Sequence, residues 1–184
     1  KGIRVLSITR DYALLDTFTA TAECAWMQML ACHRHLRGAV DHVLQGGWDI
    51  GGFVGRQLSE KTLGVLGVGR LGKMTVAYGK AFRMRVLGCD KQLFEIDGVE
   101  PVDFDTMLAE SDAISIHIHL LSENVHLFNE QAFAKMKDGA VLVNTSRGDI
   151  IDEEALHNAL ELRKLAAFGA DVVHNQFSGD MRES

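Results

Sequence analysis

Six residues, Gly67-Val68-Gly69-Arg70-Leu71-Gly72, carry the spacing G-x-G-x-x-G between an apolar run of strand type and a run of helical type. Such a loop suits one chemistry, the seating of a pyrophosphate. Gly67 permits the tight turn, Gly69 lets the backbone approach the phosphates, and Gly72 lets helix and strand pack closely. The amides of Arg70 and Leu71 then face the phosphates at the positive end of the helix. Asp90 stands eighteen residues after Gly72, at the end of the next apolar run. A carboxylate there accepts both hydroxyls of an adenosine ribose and repels a 2′-phosphate, which points to NAD rather than NADP; Lys91 alongside softens that preference. The plain alternatives are a glycine turn without ligand and a solvated strand-end aspartate, and each weakens in the presence of the other.

A second segment, Asn144-Thr145-Ser146-Arg147-Gly148, follows another apolar run, at the carboxyl edge where open α/β sheets bind ligands. Arg147 stays protonated, so it is no base, but its planar fork can hold a carboxylate and polarise a carbonyl oxygen. It could equally pair at the surface with Asp149 or Asp152, and position alone leaves both readings open. The eight histidines invite a metal reading. His117 and His119 lie two apart with His126 nearby, yet no carboxylate or cysteine completes a ligand set, and Cys32, His33 and His35 do not share a helical face. No metal is expected. His174, three residues past Asp171, is the histidine best placed to serve as an acid or base.

The elements that must position these groups alternate. Apolar residues at helical spacing from Ala22 to Val43 predict a long helix or a helix pair, and Gly46-Gly47 stops it before a loop from Trp48 to Ser59. Strands are expected at Thr62–Leu66, Arg85–Cys89, Ala113–His117, Ala140–Asn144 and Leu165–Ala170, with an extended piece around Val99. Helices fall between them: Leu71–Phe82; Phe104–Glu110, capped by Asp103; Glu130–Met136, closed by a left-handed Gly139; and one capped by Asp152, with Glu153 and Glu154 in its first turn. Six buried strands alternating with helices imply an α/β fold, a Rossmann-type doubly wound parallel sheet, with the long N-terminal helix and its loop packing outside it.

Composition agrees. A chain of 184 residues, 47% apolar and 24% charged, fits one ordinary soluble domain. It has no run long enough to cross a bilayer. A formal charge of -6 argues against a nucleic-acid surface and favours a small-molecule ligand. Cys24, Cys32 and Cys89 are an odd count without a C-x-x-C pair, as expected of a cytoplasmic protein rather than a disulfide scaffold. The first residue is not Met, so the chain is expected to begin inside a larger gene product.

Taken together, Lys61-Thr-Leu-Gly-Val-Leu-Gly-Val-Gly-Arg-Leu-Gly72, Asn144-Thr-Ser-Arg-Gly-Asp-Ile-Ile-Asp-Glu-Glu-Ala-Leu156 and Gly169-Ala-Asp171-Val resemble the D-isomer-specific 2-hydroxyacid dehydrogenases, which include D-lactate, glycerate and D-3-phosphoglycerate dehydrogenases. The resemblance covers nearly the whole chain, including Thr21-Ala-Glu23 and Gly46-Gly47-Trp48. It implies that residues 21–171 form the NAD-binding domain, that residues 1–20 are an edge of the substrate domain with its linker, and that residues 172–184 form a divergent tail. It also implies that Arg147 is the catalytic arginine and binds a 2-hydroxy or 2-keto acid, that Thr145, Arg147 and Asp171 line the nicotinamide, and that Ile118 lies beside the adenosine. The family's catalytic glutamate should stand five residues past Asp171, where this chain has Gln176, and its histidine should follow beyond Ser184. The family usually has a proline where His119 stands; Pro101 is the chain's only one. The long apolar helix and Trp48 loop suggest a homodimer surface, as in relatives. A different class stays in view: the C-terminal binding protein corepressors resemble the same enzymes and use the dinucleotide as a regulatory ligand.

Overall fold

The computed structural model describes residues 11–174. In chain order the elements are α1 (Tyr12–Leu15), α2 (Ala20–His33), α3 (Leu36–Leu44), β1 (Thr62–Leu66), α4 (Arg70–Ala81), β2 (Arg85–Cys89), β3 (Val99–Pro101), α5 (Phe104–Glu110), β4 (Ala113–Ile116), α6 (Glu130–Lys135), β5 (Ala140–Asn144), α7 (Glu153–Glu161) and β6 (Leu165–Ala170). The strands form one parallel sheet in the order β3-β2-β1-β4-β5-β6. The chain starts at the centre, winds outward through β3, then returns to build the other half. That reversal, between β1 and β4, makes the fold doubly wound.

Burial explains why apolar runs become strands here. Every residue of β1, β4 and β5 is buried, because helices cover both faces of the sheet. One face packs Ile114, Ile116 and Leu142 against α5, α6 and α7 through Met107, Phe133 and Leu156. The other packs Leu63, Val65 and Val143 against α2 and α4 through Met29 and Val76. The expected caps form: Asp103 accepts the Thr106 amide at 2.7 Å, and Asp152 accepts those of Glu154 and Ala155. Asn129, which the sequence did not mark, caps α6 by accepting the Ala132 amide.

The N-terminal helical stretch is a pair, broken at His35, whose backbone is left-handed (φ 50°). Its first member lies outside the sheet as a covering layer. There α2 buries Ala22, Ala25, Trp26, Met29 and His33, and Trp26 stacks on Phe82 with ring centroids 5.0 Å apart. Burying a side chain such as Met29 stabilises by about 1.5–3 kcal/mol. Its partner α3 buries no residue and leaves Leu36, Val40 and Val43 exposed. Gly139 is left-handed (φ 73°), as expected, but it does not close the preceding helix. It turns the chain into β5, donating its amide to Lys164 O at 2.8 Å, while α6 has already ended at Lys135. Among the described residues no helix is long and apolar enough to cross a membrane.

Candidate dinucleotide site at the carboxyl edge

Strand register places the chemistry in a row. Leu66 pairs with Cys89 on one side and Ile116 on the other, Ile116 pairs with Asn144, and Asn144 with Ala170. The residues that follow, Asp90, Gly67, His117, Thr145 and Asp171, therefore leave five adjacent strands side by side. With strands about 4.8 Å apart, the row runs about 19 Å across the point where strand order reverses.

The three glycines of the loop have different reasons to be glycine. Gly67 has φ +89°, and a Cβ on it would stand 2.6 Å from the His117 carbonyl oxygen. A Cβ on Gly72 would stand 2.0 Å from Gly67 O. Protein contacts alone exclude larger residues at both. Gly69 has φ -73°, open to any residue, and a Cβ there would meet nothing within 4 Å. It borders open space in front of the first turn of α4, the space a pyrophosphate would need. The first α4 residue to donate to a helical carbonyl is Lys73, to Gly69 O at 2.9 Å, so the Arg70, Leu71 and Gly72 amides precede the helical ladder. The Arg70 side chain does not face this space. Its guanidinium donates to Leu15 O at 2.7 Å and Phe18 O at 2.8 Å, fastening the end of α1 and the turn after it to the start of α4.

Asp90 is locked onto the loop. One carboxylate oxygen accepts the Val68 amide at 2.7 Å and the other accepts the Gln92 amide at 2.9 Å. Each oxygen keeps a lone pair for a further donor. Ile118 lies on the other side of the loop, its Cγ2 2.8 Å from where a Gly67 Cβ would be. Lys91 is not a free cation beside Asp90, because its ammonium pairs with Glu123.

At the far end of the row, Asn144 is fully buried and folds the arginine turn. Its Nδ2 donates to Arg147 O at 2.8 Å, and its Oδ1 accepts the Ser146 amide at 3.0 Å. Ser146 Oγ donates to Ile116 O, tying the turn to β4. Arg147 is exposed and donates to Ser146 O at 2.6 Å. The carboxylates that could have bound it are engaged elsewhere: Asp149 faces His174 Nδ1 at 2.6 Å, and Asp152 caps α7. Among the described residues Arg147 forms no ion pair. Thr145, buried beside it, has no partner for Oγ1. Asp171 is exposed and accepts the Cys24 thiol at 3.7 Å; burial and the Asp171 charge push that thiol's pKa up.

Two residues of the row's framework went unread in the sequence. Asn144 is a strand-end amide whose side chain can bond its own turn, which is the signal that could have found it. In the sequence His117 reads only as a candidate metal ligand. Its Nε2 lies 3.0 Å from Thr75 Oγ1 and 2.9 Å from Ser115 Oγ, while Nδ1 is shut off without a partner. Burial lowers its pKa to about 4, so the ring is neutral. Ser115, two residues back on the same strand face, was the available clue. His174 is held by Asp149, and its amide donates to Glu153 at 2.7 Å. No three His, Cys, Asp or Glu among the described residues gather as a metal site. Gln176 lies outside the described residues.

Open space at Gly69, uncommitted first-turn amides and the orphaned Thr145 hydroxyl fit an extended dinucleotide lying along this edge. Comparison with known proteins agrees. Residues 26–181 match the family described as D-isomer specific 2-hydroxyacid dehydrogenase, NAD binding domain. A hydroxypyruvate reductase of Thermotoga maritima is 40% identical over 173 residues, 94% of this chain and 55% of that protein. The D-lactate dehydrogenase of Aquifex aeolicus complexed with NAD and lactic acid superposes with a TM-score of 0.80 at 34% identity, over 84% of this chain and 48% of that one. An acyclic imino acid reductase in complex with NADPH and D-Arg superposes with a TM-score of 0.83 at 29% identity, over 88% and 53%. The chain thus spans about half the length of these relatives. It belongs to the D-isomer-specific 2-hydroxyacid dehydrogenase family, as an NAD-binding domain of the Rossmann type.

Proposed function

We propose that this chain is the cofactor half of an oxidoreductase that interconverts D-2-hydroxy acids and 2-keto acids, with the domain at residues 21–171, the substrate-domain edge and linker at 1–20 and the tail at 172–184. The observation that carries this reading is the unbroken row from Asp90 to Asp171, with an exposed arginine beside its far end that forms no ion pair among the described residues. Gly67, Gly69 and Gly72 shape the phosphate turn, while the amides of Arg70 and Leu71 receive the pyrophosphate. Asp90 takes the adenosine ribose and disfavours a 2′-phosphate, and Ile118 packs beside the adenosine. Thr145 and Asp171 face the nicotinamide. Bound NAD supplies or accepts the hydride. Arg147, the catalytic arginine, holds the substrate carboxylate in its fork and draws electron density toward the carbonyl oxygen.

Proton transfer needs an acid: Gln176 stands at the glutamate position, and His174, whose Nδ1 faces Asp149, is the candidate among the described residues. A neutral amide cannot stabilise an imidazolium as a carboxylate does. The regulatory alternative is not favoured, since the relatives above are named as reductases and a dehydrogenase. Exposed Leu36, Val40, Val43, Trp48 and Ile50 support a homodimer through α3 and the loop after it. Three unbridged cysteines support a cytoplasmic setting.

Calorimetric titration with NADH, paired with NADH oxidation in the presence of glyoxylate, hydroxypyruvate or pyruvate, tests the assignment. The chain alone should bind NADH and turn over none of these at an enzyme-like rate, because an acid–base group contributes about a hundredfold to ten-thousandfold. Turnover abolished by Arg147→Ala would locate a proton donor within these residues, with His174 the first suspect. Absence of NADH binding would end the reading.

A further inference from the structure

The end of β2 sets two opposite charges next to one another: Asp90, which repels a 2′-phosphate, and Lys91, which attracts one. The two structural relatives described above were solved one with NAD and one with NADPH, so the fold does not decide which charge prevails. Asp90 accepts the Val68 and Gln92 amides, which pins the backbone on both sides of Lys91. Glu123 sits in the turn Ser122–Asn124, and that turn is pinned too. Buried Asn124 accepts the Leu121 amide at 2.7 Å and donates to His119 O at 2.7 Å. The two turns follow β2 and β4, the strands on either side of β1, so they flank the glycine loop from opposite sides. Between them the Lys91 ammonium and the Glu123 carboxylate form an ion pair.

We propose that Glu123 is a specificity-determining residue for the dinucleotide: by holding Lys91 it withholds that ammonium from a 2′-phosphate and leaves Asp90 to reject NADP(H). This deepens the cofactor-site reading and rests on it. With the pair closed, the three side chains sum to one negative charge, facing a group that itself carries about -1.5 to -2. With Glu123 neutral the sum is zero, and Lys91, on a flexible stem, is free to swing toward the phosphate. Both side chains are largely exposed, so the pair adds little to stability and breaking it leaves the fold intact.

The test is calorimetric titration of the full chain with NADH and with NADPH, for wild type, Glu123→Gln, Lys91→Met and the double variant, at about 0.02 M and about 0.5 M salt, where screening lengths differ severalfold. Glu123→Gln should tighten NADPH binding about threefold to tenfold at low salt and leave NADH within about twofold. The gain should shrink at high salt and vanish in the double variant, which a merely structural role for Glu123 would not produce. An unchanged NADPH to NADH ratio in Glu123→Gln overturns the proposal, as does a gain that persists without Lys91; either leaves the NAD site itself standing. Failure of wild type to bind either dinucleotide overturns the cofactor-site reading and this proposal with it.

Discussion

The two ends of the carboxyl edge are built on opposite plans. At the β2–β1 end the turn and its carboxylate are bound to the protein itself, and only the first amides of α4 stay outside the helical ladder: Asp90 holds two amides, and the Gly67 amide donates to Cys89 O at 2.8 Å. At the β5–β6 end polar groups are left over. Among the described residues Thr145 Oγ1 has no partner, and the Arg147 guanidinium donates only to the carbonyl of the residue before it. A group bound by its own protein fixes shape. A buried polar group without a partner costs about 1–3 kcal/mol of desolvation, so its persistence needs another reason, and a ligand that returns the hydrogen bond is the simplest one. Under the proposed function the first end is a rigid seat, and the second holds polar groups in reserve for a ligand.

Glycine substitutions give the sharpest way to break that comparison, and the largest effect. Gly72→Ala would drive a methyl carbon to 2.0 Å from Gly67 O, a clash of backbone against side chain with no flexible atom to yield. Destabilisation of about 3 kcal/mol or more is expected, a thermal shift of many degrees. Gly69→Ala should do the reverse. Nothing surrounds its Cβ, and its φ of -73° suits alanine, so stability should stay within about 0.5 kcal/mol while NADH affinity falls about tenfold or more. Melting curves and calorimetry on the two variants separate the roles. Similar stability losses in both would show that Gly69 serves the fold, and the seat would lose its defining feature.

His117, between the two ends, tests whether the middle of the row is as rigid as its seat. A neutral ring can satisfy Nε2 through Thr75 and Ser115 in either tautomer; a protonated one must carry an N–H on both nitrogens, and Nδ1 has no acceptor among the described residues. The folded ring titrates near 4, whereas an unfolded one titrates near 6.5. Above pH 6.5 both states are neutral and the ring contributes nothing to the pH dependence. As pH falls from 6.5 toward 4 the unfolded state binds the proton first, so stability declines by about 3 kcal/mol across that window and the loss is complete below 4. Urea denaturation at pH 7.5, 6, 5 and 4.5 should show this slope in wild type and a flatter one in His117→Gln. Parallel curves would mean that the ring finds an acceptor when charged.

How much of this was legible in the sequence differed by distance along the chain. Strands, glycine spacing and the Asp103 and Asp152 caps rest on neighbours a few residues away, and these stand where expected. Long-range side-chain choices did not show. Arg70 reads locally as part of a phosphate loop, yet its guanidinium spans to Leu15 and Phe18, and Lys91 reads as a free cation until Glu123, 32 residues on, takes it. Periodicity in α3 gave an apolar face but no means of telling whether anything covers it, and within this chain its residues stay exposed. The sequence allowed a helix pair there but did not place the break at His35, because a left-handed non-glycine residue leaves only a weak compositional mark.

Thr145→Val carries the smallest expected effect and bears most directly on the reserve end of the row. The substitution keeps shape and removes only the hydroxyl. Because that hydroxyl is buried without a partner among the described residues, losing it relieves a desolvation cost rather than breaking a bond. Stability should therefore hold or rise by up to about 1 kcal/mol, where a buried threonine with a partner would lose about that much. If the hydroxyl is kept for the nicotinamide end of the cofactor, NADH affinity should fall about threefold to tenfold in the same variant, the size of one hydrogen bond. Gain in one property with loss in the other distinguishes a group retained for a ligand from one retained for packing. A valine variant that is less stable and binds NADH as wild type does would place the hydroxyl in the fold, and the contrast between the two ends would then rest on Arg147 alone.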